Sequence, residues 1–205
     1  MKLLRRSART LAATLALASA LAVSDANANQ LPPRPDPASQ ARNMLKVAHR
    51  LQTGLALFAR LHGSPSPMAR EALEITRAAR RQGRSPLALV AIAGVESTFG
   101  TAQACPSYGG GRWNTTGLGS CGHYWTRITL CGRHVDLAEL RSYADGITVT
   151  GLILRCLVPG ARTIWDVRGY CAGCASWNGE VASVMRRYFR SWPGLMWSDA
   201  VRAVR

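Results

Sequence analysis

One glutamate stands out by its position. Glu96 follows Leu87 to Val95, nine residues without a polar side chain, and precedes Ser97-Thr98-Phe99-Gly100. An apolar run with no polar face forms a buried helix. A carboxylate at the end of such a helix loses hydration, so its pKa rises. An acid that stays protonated near neutral pH can donate a proton to a leaving-group oxygen. Glycosidic cleavage needs that step, because an alkoxide leaves a sugar poorly. Tyr108, Trp113, Tyr124 and Trp125 follow in a Gly-rich stretch, and aromatic rings stack on sugar faces. The alternative is a buried glutamate paired with an arginine. For a second carboxylate, Asp136 and Glu139 are nearest to the Gly-rich stretch. Asp145 reads as a helix cap, and Asp166 and Glu180 as residues of solvated faces.

The cysteines offer other chemistry. Cys105, Cys121, Cys131, Cys156, Cys171 and Cys174 are six, an even number. In an exported chain they imply three disulfides, with 15 connectivities open. The reading leans toward Cys121 with Cys131, and Cys156 with Cys171 or Cys174. Cys171-Ala172-Gly173-Cys174 has the spacing of a thiol redox motif, but the βαβ pattern of that fold is missing. Ala175 in place of histidine excludes haem attachment. Cys121, His123, Cys131 and His134 match no usual zinc spacing. No metal and no cofactor are expected. His49 and His62 read as surface residues.

These groups need elements to hold them. Ala38 to His62 places Met44, Val47, Leu51, Leu55, Phe58 and Leu61 at helical spacing. Ser66-Pro67 opens a second helix that ends by Gly83, and Ser85-Pro86 opens the buried one. Pro106 to Leu130 reads as loops and a small irregular β region. Ser142 and Asp145 resemble a capping box at the start of a helix that runs to about Leu157, stopped by Pro159-Gly160. A short helical turn falls at Thr163 to Val167, and a last helix runs from Ala175 to Trp192. The fold class is α+β, mostly helical, with a small β-containing lobe stapled by disulfides.

Lys2, Arg5, Arg6 and Arg9, an uncharged run from Leu11 to Val23, and Ala26-Asn27-Ala28 form a secretory signal peptide cleaved after Ala28. Residues 29–37 are an extended lead-in, and 38–205 a single catalytic domain. The mature chain is expected in the periplasm or outside the cell, with no transmembrane segment. The full sequence carries 26 basic and 11 acidic residues, +15. Removing the signal leaves 22 and 10, or +12. That charge favours anionic envelope polymers as partners; nucleic acid is not expected for an exported chain.

Four segments, in order between Ser85 and Phe189, resemble the bacterial glucosaminidase family of peptidoglycan hydrolases, in the lysozyme-like superfamily. Leu87 to Gly100 resembles its apolar helix ending in Glu-Ser, one residue, an aromatic and Gly. Asn114-Thr115-Thr116-Gly117-Leu118 resembles its Asn-rich stretch, and Leu140 to Ile147 its Ser-Tyr helix start. Gly169-Tyr170, with Trp177, resembles its Gly-Tyr segment, although Cys171 to Cys174 replace the usual continuation. The resemblance implies a lysozyme-like domain that cuts the β-1,4 glycan strand of peptidoglycan, as an endo-β-N-acetylglucosaminidase. Glu96 would be the general acid and Tyr170 a second site residue. Trp113, Asn114, Gly117, Leu118, Tyr124 and Trp177 would contact the glycan. A single glutamate suffices where the substrate's N-acetyl group is the nucleophile.

Three other functions fit parts of the sequence. A lytic transglycosylase or muramidase would use the same Glu96. A non-catalytic wall-binding protein would leave a desolvated acid without purpose. An exported thiol oxidoreductase would use Cys171 and Cys174.

Overall fold

Five α-helices and a two-stranded antiparallel sheet make up the described residues of the computed structural model, which are 36–101, 113–115, 127–167, 170 and 175–197. The chain divides into a unit Met1–Pro37 and a unit Ala38–Arg205. Apart from Pro37, every element named here belongs to the second. The expected signal segment lies outside the described residues.

Helix α1 spans Pro37–His62 and buries Val47, Ala48, Leu51, Leu55 and Phe58. Leu61, expected on that stripe, is 52% exposed. The stripe drifts instead to His62, whose ring stacks on Phe58 with centroids 4.6 Å apart and hydrogen-bonds the Tyr188 hydroxyl at 2.9 Å. A 3-10 turn, Pro67–Glu71, leads into α2, Ala72–Arg81. Helix α3 is Pro86–Ser97, with Leu87 to Ala93 all buried. The repeated Ser-Pro start has a local cause. Proline brings a preset φ and lacks the N–H a first turn cannot bond. The serine hydroxyls accept the freed amides, Ser66 from Met68 at 3.3 Å and Ser85 from Ala88 at 3.4 Å.

Strands β1, Arg127–Leu130, and β2, Arg133–Asp136, pair with Leu130 opposite Arg133 and Arg127 opposite Asp136. Their two-residue turn puts Cys131 and Gly132 at φ 50° and 73°, the left-handed pair that matches strand twist in a tight hairpin. After a 3-10 turn at Leu137–Glu139, helix α4 runs Tyr143–Leu157. Ser142 Oγ accepts from the Asp145 amide at 3.1 Å. The return bond falls one residue earlier than in a capping box, from the Arg141 amide to Asp145 Oδ2 at 3.0 Å. Glu71 Oε2 takes a further amide of the first turn, that of Ala144, at 3.1 Å.

The hairpin and α4 share a small core of Leu130, Leu137, Leu140, Val149, Leu152 and Ile153. Cys131 at the hairpin turn is disulfide-bonded to Cys156 in the last turn of α4. This corrects the expected pairing of Cys121 with Cys131 and of Cys156 with Cys171 or Cys174. The hairpin folds back onto α4, so its turn meets the helix end rather than a cysteine of the Gly-rich stretch. Cys131 is then no zinc ligand, and among the described residues no group of three metal-ligating side chains forms. No described helix is long and apolar enough to cross a membrane.

The expected turn at Thr163 to Val167 is a 3-10 turn at Ile164–Asp166. Helix α5, Trp177–Phe189, is shorter than the expected Ala175 to Trp192. Arg190 turns left-handed at φ 47°, and the Ser191 amide reaches back to Met185 O at 3.1 Å. Helix α5 packs on α3 to form the main core. The segment after α5 then laces distant parts of the chain together. Leu195 bonds Ser85 and Arg162 at 2.7 and 2.8 Å, and the Trp197 amide bonds Gly83 O at 3.0 Å. Beneath it Arg84, 3% exposed, donates from Nη1 to Ala161 O at 2.9 Å and from Nη2 to Leu154 O at 3.4 Å.

Candidate active site

Glu96 projects from the last turn of α3, and the turn after it is unusually constrained. Thr98, Phe99 and Gly100 all have positive φ, 48°, 55° and 78°. The amides of Thr98 and Phe99 both reach Ala93 O. Ser97 Oγ donates to the same carbonyl at 2.8 Å and accepts from the Gly100 amide at 3.1 Å. Two non-glycine residues in the left-handed region are costly and need outside support. Phe99 supplies it by filling the core beside Phe58, Tyr188 and Phe189. Its carbonyl accepts the Ser66 hydroxyl at 2.9 Å. The Tyr143 hydroxyl donates to Gly100 O at 3.3 Å, and its ring lies where a side chain on Gly100 would go. Serine, aromatic and glycine after Glu96 are thus the parts that fix where its carboxyl stands.

Helix α5 brings the partner. Trp177, in its first turn and 4% exposed, donates from Nε1 to Glu96 Oε1 at 2.6 Å. Tyr170 stacks on the Trp177 ring with centroids 4.8 Å apart and planes 20° from parallel. Asn178 anchors this end of the helix through the carbonyls of Ile164 and Val167.

Opposing forces act on the Glu96 proton. Loss of solvent pushes its pKa above the usual carboxylate range, the Trp177 hydrogen bond pulls it down, and the charge of Glu180 pushes it up again. Desolvation is the largest of the three, so the net shift is upward. Tyr170 keeps some accessible surface, yet the protein around it and the nearby Glu96 charge push its phenol far up. It remains protonated, a hydrogen-bond donor.

Of the sequence-derived site residues, Glu96, Tyr170 and Trp177 come together. Trp113 and Tyr170 each pack against both the main core and the hairpin core, at the seam between them. The Trp113 carbonyl lies where a Cβ on Gly146 would stand, so residues 113–115 lie directly on α4. Thr115 Oγ1 is 3.3 Å from Thr150 Oγ1 there. Asn114, expected at the glycan, is 2% exposed. Gly117, Leu118 and Tyr124 lie outside the described residues, as do Cys171 and Cys174. Asp136 ends β2 and Glu139 is exposed on the turn beyond it; neither is among the groups acting on the Glu96 proton. The carboxylate that does act is Glu180, three residues beyond Trp177 and held by the Ser176 hydroxyl at 2.5 Å. Sequence reasoning put Glu180 on a solvated face. It is exposed, but helical spacing from Trp177 was the signal that it shares a face with the Glu96 partner. Comparison with family models, with curated proteins and with solved structures returns no match.

Proposed function

We propose that this chain is an exported glycan-cleaving enzyme of lysozyme-like type. It acts on the β-1,4 strand of peptidoglycan, as an endo-β-N-acetylglucosaminidase, with Glu96 as general acid. The observation that supports this best is a desolvated glutamate at the end of a buried helix, held by an indole N–H and flanked by a protonated tyrosine. An ion-paired structural glutamate would need an arginine, and among the described residues no arginine acts on the Glu96 proton.

In this reading Glu96 gives its proton to the glycosidic oxygen as the bond to the anomeric carbon breaks. The carbonyl oxygen of the substrate's own N-acetyl group closes onto that carbon. Water then opens the ring so formed, and the Glu96 carboxylate takes the water's proton, restoring the acid. Tyr170 donates a hydrogen bond that orients the N-acetyl group or stabilises charge near the anomeric carbon. Trp177 holds the Glu96 carboxyl in one orientation, and Trp113 at the seam offers a ring to the sugar. The basic surface favours anionic envelope polymers, and the work is done in the periplasm or beyond it.

Mass spectrometry of peptidoglycan digested by the wild type and by Glu96→Gln tests the proposal. Wild type is expected to release free reducing GlcNAc ends, and Glu96→Gln to lose about 10²–10⁴-fold in rate with its fold intact. Reducing MurNAc ends would make it a muramidase, and anhydro sugars a transglycosylase using the substrate's 6-hydroxyl. Equal cleavage by Glu96→Gln would refute the role of Glu96. No cleavage by either protein would refute the enzyme.

A further inference from the structure

A second site lies at the opposite end of α5. A cavity of about 450 Å3 opens between α1 and the C-terminal end of α5. Trp177 and Phe189, at the two ends of this helix, are about 18 Å apart at the usual ~1.5 Å rise per residue, so the cavity is separate from the Glu96 cluster. Its α1 wall follows helical spacing: His49 and Arg50, then Leu57, then Arg60. Phe189 and Arg190 close the other side. Three guanidinium groups and an imidazole therefore line one space, and among the described residues its lining contains no carboxylate.

Arg50 is the informative residue. Its Nη2 donates to Arg190 O at 3.3 Å, but its Nη1 is buried with no hydrogen-bond partner. A buried guanidinium edge left unpaired is costly, and so is a second cation beside it without a counter-charge. Burial and the charge of Arg190 both lower the Arg50 pKa, the sign of like charges held together. The arginine fork is shaped for two oxygens of one anion.

The geometry points to an anion site in which a phosphoryl group lies against Arg50 Nη1, between Arg60 and Arg190. Three cations around one space favour a phosphate monoester or a phosphodiester row over one carboxylate. The volume exceeds that of inorganic phosphate alone, and Leu57 and Phe189 give the rest of the ligand an apolar wall. The ligand is thus an organic phosphate, either a soluble one or a lipid headgroup.

Calorimetric titration of the full-length chain with glycerol 3-phosphate tests the site, alongside co-sedimentation with phosphatidylcholine vesicles with and without phosphatidylglycerol. Saturable binding of glycerol 3-phosphate is expected. Arg50→Gln and Arg60→Gln should each weaken it about tenfold or more, since bonds to charged groups are the strong ones. Arg77→Gln, on α2 and paired with Glu74, should bind as wild type does. Arg60 is exposed, so Arg60→Gln keeps the test decisive if Arg50→Gln fails to fold. Phosphatidylglycerol-dependent sedimentation lost in Arg60→Gln would identify the lipid as the source. Soluble binding without sedimentation would identify a free organic phosphate. No saturable binding of either probe, or Arg60→Gln binding as tightly as wild type, would overturn the proposal.

Discussion

Gly94 is where a single methyl group tests how Glu96 is held. A Cβ built at Gly94 stands 2.6 Å from both Cε1 and Cζ of Phe99. Ordinary carbon contacts begin about 1 Å further out. An exposed ring would swing aside, but Phe99 is 2% exposed and packed edge-on against Phe58, Tyr188 and Phe189. The clash therefore passes into the backbone of the turn that carries Glu96. Overpacking of this kind costs ~1–3 kcal/mol. Alanine returns ~1 kcal/mol of helix propensity, leaving a net loss of up to about 2 kcal/mol. For a chain of this size that lowers Tm by up to roughly 8 °C. A displacement near 1 Å at a catalytic acid can cost about 10²-fold in rate, so turnover per folded molecule should fall more steeply than stability. Gly179→Ala is the control: it sits in α5 with nothing within 4 Å, and Tm should hold or rise slightly. Thermal melts and peptidoglycan turnover on the two variants separate the effects. Wild-type Tm and wild-type turnover in Gly94→Ala would refute the claim that Phe99 and Gly94 set the position of Glu96.

Three further outcomes follow from the same geometry. In the proposed role Glu96 works while protonated, so activity should decline as pH rises through its pKa. Glu180→Gln removes a charge that raises this pKa and should move the alkaline limb to lower pH, while Trp177→Phe removes a bond that lowers it and should move the limb to higher pH; shifts in the same direction would contradict the assignment. Cys131→Ser/Cys156→Ser opens a bridge of separation 25, for which chain entropy alone gives about 3.5 kcal/mol, read as a lower urea midpoint with a slope that stays the same or steepens as the unfolded chain expands; an unchanged midpoint would contradict it. Tyr170→Phe keeps the stack on Trp177 and loses the phenol donor, so turnover should drop about 10²-fold with little change in Tm; a fall in Tm without a fall in rate would make Tyr170 structural.

The helices were legible because their signals are local. Ser66-Pro67, Ser85-Pro86 and Ser142 announce starts by chemistry that acts within three residues, and the apolar run to Val95 leaves burial as its only option. Glu96 was legible for the same reason. What failed was non-local. The Cys131–Cys156 bond depends on which way a hairpin folds back. The burial of Asn114 depends on residues 113–115 lying along α4. Leu61 is exposed, while the adjacent His62 meets Tyr188, 126 residues further along the chain. Glu180 is exposed as read, but its action on Glu96 was not legible, because it depends on a carboxylate on another helix, which no window along α5 contains.

The lacing of residues 193–197 onto Gly83, Ser85 and Arg162 has a consequence in time. The amide of Trp197 closes a loop back to Gly83, and Leu195 O takes the Ser85 amide, so the lead-in to α3 gains its backbone partners from a segment more than 100 residues further along the chain. A folding chain can form α1 to α3 from local contacts, but the start of α3 is fastened to residues 195–197 only when that distant segment docks. Long-range closure of this kind slows folding. The closing step is also a release point: a nick or truncation just after Phe189 would leave α5 intact while unfastening α3, uncoupling the acid from its scaffold without removing any residue of the site.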